Sequence, residues 1–246
     1  MTFCKKLKEF LNSVENVFMK NHKCLSCGRE IPDGSKFQLC ESCLNGFELI
    51  SGPVCEKCGD AVIDGDKFCG NCQKFNYHFD KSNSCCYYDD VASRIVLGLK
   101  YSHKKYYAKE IVKIMQTNSD IFKNIDLITF VPSSRKTLKQ RGYNQAKLIA
   151  GELAKTFNLP VANSLTKLDT KVHQTGASQK ERLENLKGTF KLCDGIDLKN
   201  KNILLIDDVF TTGSTLDECA KTLKKAKPKS VNCYTFAKTK FNFTKK

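Results

Sequence analysis

No stretch of this 246-residue chain approaches the ~20 consecutive apolar residues that cross a bilayer as a helix. The first twenty residues also lack the uninterrupted apolar core of a secretory signal, being broken by Glu9, Asn12, Glu15 and Asn16. Both absences lead to the expectation of a cytoplasmic protein. Carboxylates are scarce as well: 26 acidic side chains face 41 basic ones, a formal charge of +15. That excess favours polyanionic partners such as nucleic acid, phosphorylated metabolites or an anionic membrane face, although a lysine-rich solvated surface gives the same number. Apolar content is ordinary for a chain with a buried core.

Cysteine is plentiful, with fourteen in all, but its placement argues against disulfides. Eight form four C-x-x-C pairs, Cys24/Cys27, Cys40/Cys43, Cys55/Cys58 and Cys69/Cys72, and the other six are scattered. In a reducing compartment such pairs point to metal. Gly28 and Gly59 each follow a pair directly, where a flexible residue lets backbone amides turn towards thiolates. Four thiolates at ~2.3 Å make the closed tetrahedral site of structural zinc, so two Zn2+ ions are expected. They would lower the working charge to about +11, still strongly basic. With no open position and no His or carboxylate ligand nearby, the metal is not expected to be catalytic. An iron–sulfur cluster or a redox pair is the minority alternative. The spacing leaves open which pairs share a metal. Cys219 and Cys233, in apolar surroundings, read as small buried hydrophobes.

Three segments follow. Residues 1–21 hold an amphipathic helix, with Phe3, Leu7, Phe10, Leu11, Val14, Val17 and Phe18 at helical spacing. Packing against the body of the protein is favoured over lying on a membrane surface, because Glu9 and Glu15 interrupt the basic face. Residues 22–80 form the cysteine-rich zinc module, too poor in apolar residues to fold well without metal. Residues 81–246 alternate strands and helices. Strands are expected at 85–89, 126–132, 202–207 and 231–237. Helices are expected at 91–101, 104–115 and 141–157 and after residue 215. This alternation implies an α/β fold, a mainly parallel sheet with helices on both faces.

Ligands of such sheets bind beyond the carboxyl ends of the strands. There ILLID is followed by Asp208, Val209 and Phe210 and then by Thr211, Thr212, Gly213, Ser214 and Thr215 at a helix start. Converging backbone N–H groups and hydroxyls hold a phosphate, and a glycine permits its close approach. The adjacent acids Asp207 and Asp208 can take the two vicinal hydroxyls of a ribose and attract Mg2+ carrying a pyrophosphate. TTGST alone also starts an ordinary capped helix, and paired acids after a strand also mark phosphoacceptor or metal sites. In this order the groups fit 5-phosphoribosyl 1-pyrophosphate (PRPP), or another 5-phosphoribosyl ligand.

The string resembles the PRPP motif of type I phosphoribosyltransferases. The chain as a whole resembles the ComF family of competence proteins over four blocks: the paired cysteines, VPSSRKTLKQRGYNQA (131–146), HQTGASQKERLENLKGTF (173–190) and the PRPP loop. The resemblance implies a type I phosphoribosyltransferase-like domain behind a small zinc ribbon, acting in natural transformation on single-stranded DNA entering the cell. It implies that Ser133, Ser134 and Arg135 form the pyrophosphate loop and that Arg141, opening the next helix, reaches the same phosphates. The 169–190 stretch resembles a hood over PRPP, with Arg182 as its charge-neutralising residue. Asn144 and Gln145 either contact the ligand or cap the helix.

Three functions remain open at this point. The first is a PRPP-binding protein that handles single-stranded DNA, with the zinc module and the aromatics at 75–79 and 87–88 as contacts or as core. It would have competence-machinery partners at the inner membrane and a location peripheral to it. The second is an active phosphoribosyltransferase of nucleotide metabolism in which Asp207 and Asp208 serve catalysis. No acceptor site is identifiable, and Cys4, in a helical pattern after Phe3, gives no support to a glutaminase nucleophile. The third is a PRPP-responsive regulator that binds no DNA.

Overall fold

The computed structural model describes residues 23–63, 65–101, 104–168 and 186–240. Two short helices, α1 (Glu41–Asn45) and α2 (Gly70–Lys74), belong to the cysteine-rich segment. Strand β1 (Lys81–Tyr87) leads into helices α3 (Asp90–Tyr101) and α4 (Tyr107–Met115), and then β2 (Leu127–Phe130). Next come α5 (Arg135–Arg141), α6 (Gln145–Phe157), β3 (Leu165–Lys167) and β4 (Phe190–Leu192). The chain ends in β5 (Asn202–Phe210), α7 (Ser214–Lys224) and β6 (Ser230–Lys238). The main sheet has the order β1-β6-β5-β2, every neighbouring pair parallel, and β3 and β4 form a separate antiparallel pair.

Strand alternation builds two apolar layers. Leu204 and Ile206 of β5 face one side with Ile128, Phe130, Tyr234 and Phe236, against residues of α3, α4 and α6. Ile203 and Leu205 face the other with Leu127, Val231 and Cys233, against Leu216, Cys219 and Leu223 of α7. The parallel sheet with helices on both faces is as the sequence implied, and Cys219 and Cys233 are fully buried within it.

Two boundaries moved for local reasons. The strand expected at 85–89 runs from Lys81 to Tyr87. Asp89 leaves it because its carboxylate accepts the Ala92 amide at 2.7 Å and so starts α3. The single helix expected over 141–157 is preceded by a break. Gly142, at φ +76°, ends α5, and Asn144 caps α6 by accepting the Lys147 amide at 3.2 Å. Arg141 therefore closes α5 instead of opening the next helix.

The cysteine segment folds as two copies of one ribbon. Cys24 N–H donates to Arg29 O and Cys55 N–H to Asp60 O, each at 2.7 Å. Gly28 N–H donates to Cys24 O and Gly59 N–H to Cys55 O, each at 2.9 Å, with both glycines at positive φ. Cys40 and Cys69 then stand as N-caps of α1 and α2. Neither ribbon is free of the body. The first joins the α3/α4 layer of the core through Cys24, Leu25, Leu39, Cys40 and Cys43. The second joins the α7 layer through Cys55, Cys58 and Cys69.

Candidate phosphoribosyl site and metal centres

Strand β2 stops at Phe130, which pairs with Ile206, while β5 continues to Phe210 along β6. Val131 N–H still donates to Ile206 O at 3.0 Å, so the 131–134 turn leaves the sheet level with Asp207. The acid pair and the Ser133–Ser134 turn thus share one carboxyl edge.

Adjacent residues of a strand point to opposite faces. Asp208 Oδ2 meets Lys100 Nζ of α3 at 2.6 Å, in a largely buried ion pair. Asp207 Oδ1 accepts the Asp208 amide at 2.9 Å. Burial and the neighbouring Asp208 carboxylate push Asp207 up to about 8, so it is mostly protonated at neutral pH. Burial alone would lower Lys100, but the Asp208 carboxylate, with a smaller contribution from Asp207, outweighs it and holds the ammonium above its ordinary value. The site is therefore close to charge-balanced. Breaking the pair by removing Lys100 would cost about 3–5 kcal/mol, since Asp208 would be left buried alone.

The sequence reading missed Lys100. Its signal was there: Lys100 lies one turn beyond buried Val96, on a helix whose buried residues are apolar.

The 211–215 loop is held from within and from outside. Gly213, at φ +76°, is the N-cap of α7, and Thr212 Oγ1 and Ser214 Oγ lie 2.7 Å apart. Thr211 is exposed and Ser214 buried. A Cβ on Gly213 would stand 2.6 Å from Phe210 and 3.1 Å from Tyr77, so only glycine fits this turn. Tyr77 OH donates to Thr212 O at 3.0 Å. Tyr77 and Phe79 stack at 4.8 Å and present their edges to Phe210. Lys238, fully buried, donates to Cys58 O at 3.2 Å and lies 3.9 Å from the Phe210 ring centroid. His78 and Asp217 complete the tie, with Nδ1 and Oδ2 at 3.0 Å. The second ribbon and its tail are thus packed directly behind the loop.

Other expected residues fall in varied places. Ser134 caps α5, accepting the Thr137 amide at 3.1 Å, and Arg135 starts that helix. Arg141 donates to Tyr101 OH at 3.1 Å, its guanidinium 4.9 Å from the ring centroid. Asn144 also donates to Val131 O at 2.9 Å, so capping accounts for it. Gln145 is buried, and its Nε2 has no hydrogen-bond partner among the described residues. Arg182 and residues 169–185 of the hood lie outside the described residues, as does the helix expected over 1–21. Tyr77, Phe79 and Tyr87 belong to the core.

Each set of four cysteines, Cys24/Cys27/Cys40/Cys43 and Cys55/Cys58/Cys69/Cys72, brings its sulfurs within 4.8 Å of one another. Cys27 and Cys40 Sγ are 3.6 Å apart, and Cys58 and Cys69 Sγ are 3.5 Å apart. Tetrahedral zinc with ~2.3 Å bonds asks for sulfurs about 3.8 Å apart. The residues fit the ion, and sequential pairs share a metal.

Residues 144–241 match the family described as phosphoribosyl transferase domain, and residues 17–73 match the double zinc ribbon domain. Competence protein F of Haemophilus influenzae is 27% identical over 226 residues, covering 89% of this chain and 97% of that protein. Competence protein ComFC of Bacillus subtilis is 27% identical, covering 82% and 85%. DNA utilization protein YhgH of Salmonella typhimurium is 25% identical, covering 83% and 92%.

Proposed function

Because the chain belongs to the ComF family of competence proteins, we propose that it binds PRPP with Mg2+ and assists the uptake or processing of single-stranded DNA in natural transformation. The observation that carries the reading is the acid pair at the end of β5, set between the 211–215 loop and the 131–134 turn.

The α7 N-terminus directs its first amides outward, and the hydroxyls of Thr211, Thr212, Ser214 and Thr215 add donors for the 5-phosphate. Asp207 and Asp208 accept the ribose hydroxyls. Since the two acids leave the strand on opposite sides, the sugar lies across the end of β5. Both acids offer oxygen, the donor type magnesium takes, and would hold it through water beside the pyrophosphate. Bound there, the ion neutralises phosphate charge. Ser133, Ser134 and Arg135 face the pyrophosphate end, and Arg182 is the residue assigned to neutralise its charge. The ribbons' zinc ions are structural. The protein acts in the cytoplasm, in contact with competence proteins at the inner membrane face; among the described residues no helix is long and apolar enough to cross a membrane.

The test is a pair of titrations on the zinc-loaded full chain. Calorimetry with PRPP and Mg2+ is expected to give saturable one-site binding. Anisotropy of a labelled oligothymidylate is expected to show affinity falling steeply with salt. Tight PRPP binding with no DNA binding at low salt would favour the regulator instead. Pyrophosphate release on mixing all three would make the protein a transferase.

A further inference from the structure

Of the aromatics that the sequence offered for DNA stacking, Tyr77, Phe79 and Tyr87 are buried and Phe75 and Tyr88 are half-buried against the core, so a DNA-contacting face is better sought elsewhere. The most exposed tyrosine among the described residues is Tyr101, at 63%, and Tyr106 is exposed at 38%. Both lie where α3, α4 and α5 meet. Arg141 of α5 rests on one face of the Tyr101 ring and bonds its hydroxyl, which fixes the ring while leaving it open to solvent. Lys105 Nζ stands 5.7 Å from the Tyr143 ring centroid and Lys104 Nζ 5.8 Å from that of Tyr107. Tyr106 packs on Tyr107 at 5.0 Å. Leu97, one turn before Tyr101, and Leu138, one turn before Arg141, are exposed too.

Charge is segregated around these rings. Residues 91–109 hold five cations and no carboxylate, and residues 131–145 hold four and none; of these Lys100 is taken by Asp208, while the flanking Glu110 is paired with Lys113. A purely solvated face has no reason to expose two tyrosines and two leucines among so many cations. Rings presented flat beside ammonium and guanidinium groups are what single-stranded nucleic acid asks for: stacking for bases, charge for phosphates. Duplex DNA, its bases already stacked, would use the charge and leave the rings idle. The face adjoins the phosphoribosyl site through one residue, because Lys100, next to Tyr101, holds Asp208.

We propose that single-stranded DNA runs over this junction, one base stacking on Tyr101 and another on Tyr106, with phosphates on Lys104, Lys105 and Arg141. The inference rests on the DNA-binding reading above and locates it on the molecule.

Anisotropy of labelled dT20 and of an abasic 20-mer with the same phosphates, against the zinc-loaded full chain, tests it. Tyr101→Leu with Tyr106→Leu should weaken dT20 binding by about tenfold or more while leaving abasic binding and the salt slope unchanged. Lys104→Gln with Lys105→Gln should weaken both probes alike and reduce the slope of log affinity against log salt by about 1.4. Melting temperature and zinc content confirm that each variant folds. If the wild type fails to bind dT20 at low salt, the DNA-binding reading itself falls. If the wild type binds and the tyrosine variant binds equally well, this surface is overturned alone.

Discussion

Residues 24–43 and 55–72 repeat one backbone plan, down to matching hydrogen bonds in the two knuckles, yet they lie against opposite faces of the sheet and touch different parts of the molecule. The first ribbon braces helices. Arg94 of α3 donates to Ser26 Oγ at 2.8 Å, and Tyr107 of α4 donates to Leu25 O at 3.1 Å. The second braces the 211–215 loop, through Tyr77 on Thr212 O and through Lys238 between Cys58 O and the Phe210 ring. A duplicated metal module has thus been put to two uses, and among the described residues the second is the one that reaches the 211–215 loop. Zinc ribbons read from sequence invite a nucleic-acid role; here much of each ribbon is turned inward as a splint.

The largest contrast should come from the metal ligands. Cys58→Ser is expected to remove one zinc equivalent and weaken PRPP binding by about 100-fold or more, because the loop loses its backing. Cys27→Ser, in the exposed corner of the first site, should also lose one equivalent but change PRPP affinity by only about threefold. Metal content and calorimetry on both variants decide it, and equal losses would end the distinction.

The knuckle glycines sharpen it next. Both need positive φ, which costs an alanine about 1 kcal/mol or more. A Cβ on Gly28 meets nothing within 4 Å, whereas one on Gly59 would stand 2.7 Å from Ser82 O in β1. Gly59→Ala should therefore destabilise by about 3 kcal/mol and Gly28→Ala by about 1, as read by denaturant unfolding.

Above the range in which acid strips zinc from its thiolates, pH probes the acid pair. Asp207 is raised from its ordinary 3.8 to about 8, so its own contribution to the ligand-free fold is fully present below about pH 4 and is lost as pH rises towards 8. Accepting ribose hydroxyls favours the ionised carboxylate. PRPP affinity should then rise about tenfold from pH 6.5 to 8, with proton release seen by calorimetry in buffers of different ionisation enthalpy. The smallest effect belongs to Tyr77→Phe, which removes only the hydrogen bond to Thr212 O. PRPP binding should weaken about fivefold, near 1 kcal/mol, with both zinc ions retained.

The fold and the loop were legible because each rests on local pattern. The apolar strand 202–206, the acid pair and the glycine-led helix start need no distant partner to be recognised, and the same holds for each C-x-x-C turn. Metal sharing needed coordinates, since spacing alone allowed interleaving. Lys100, Tyr77 and Lys238 were hidden for a different reason. Their partners Asp208, Thr212 and Cys58 lie more than a hundred residues away along the chain, and a lone lysine on a helix normally reads as solvated. The aromatics at 75–79 and 87–88 stayed open between DNA contacts and core, because composition reports hydrophobicity without saying which side of a strand is covered. Tyr101 and Tyr106 are the opposite case: placed among lysines, they drew no attention until the fold left them exposed.

The most direct measurement is calorimetric titration of PRPP with Mg2+ into the wild type and into Asp207→Asn with Asp208→Asn, each carrying two zinc equivalents. The wild type should bind one PRPP and the double variant should show no saturable heat. PRPP bound with wild-type affinity by a folded, zinc-loaded double variant would contradict the assignment of the acid pair as the phosphoribosyl site.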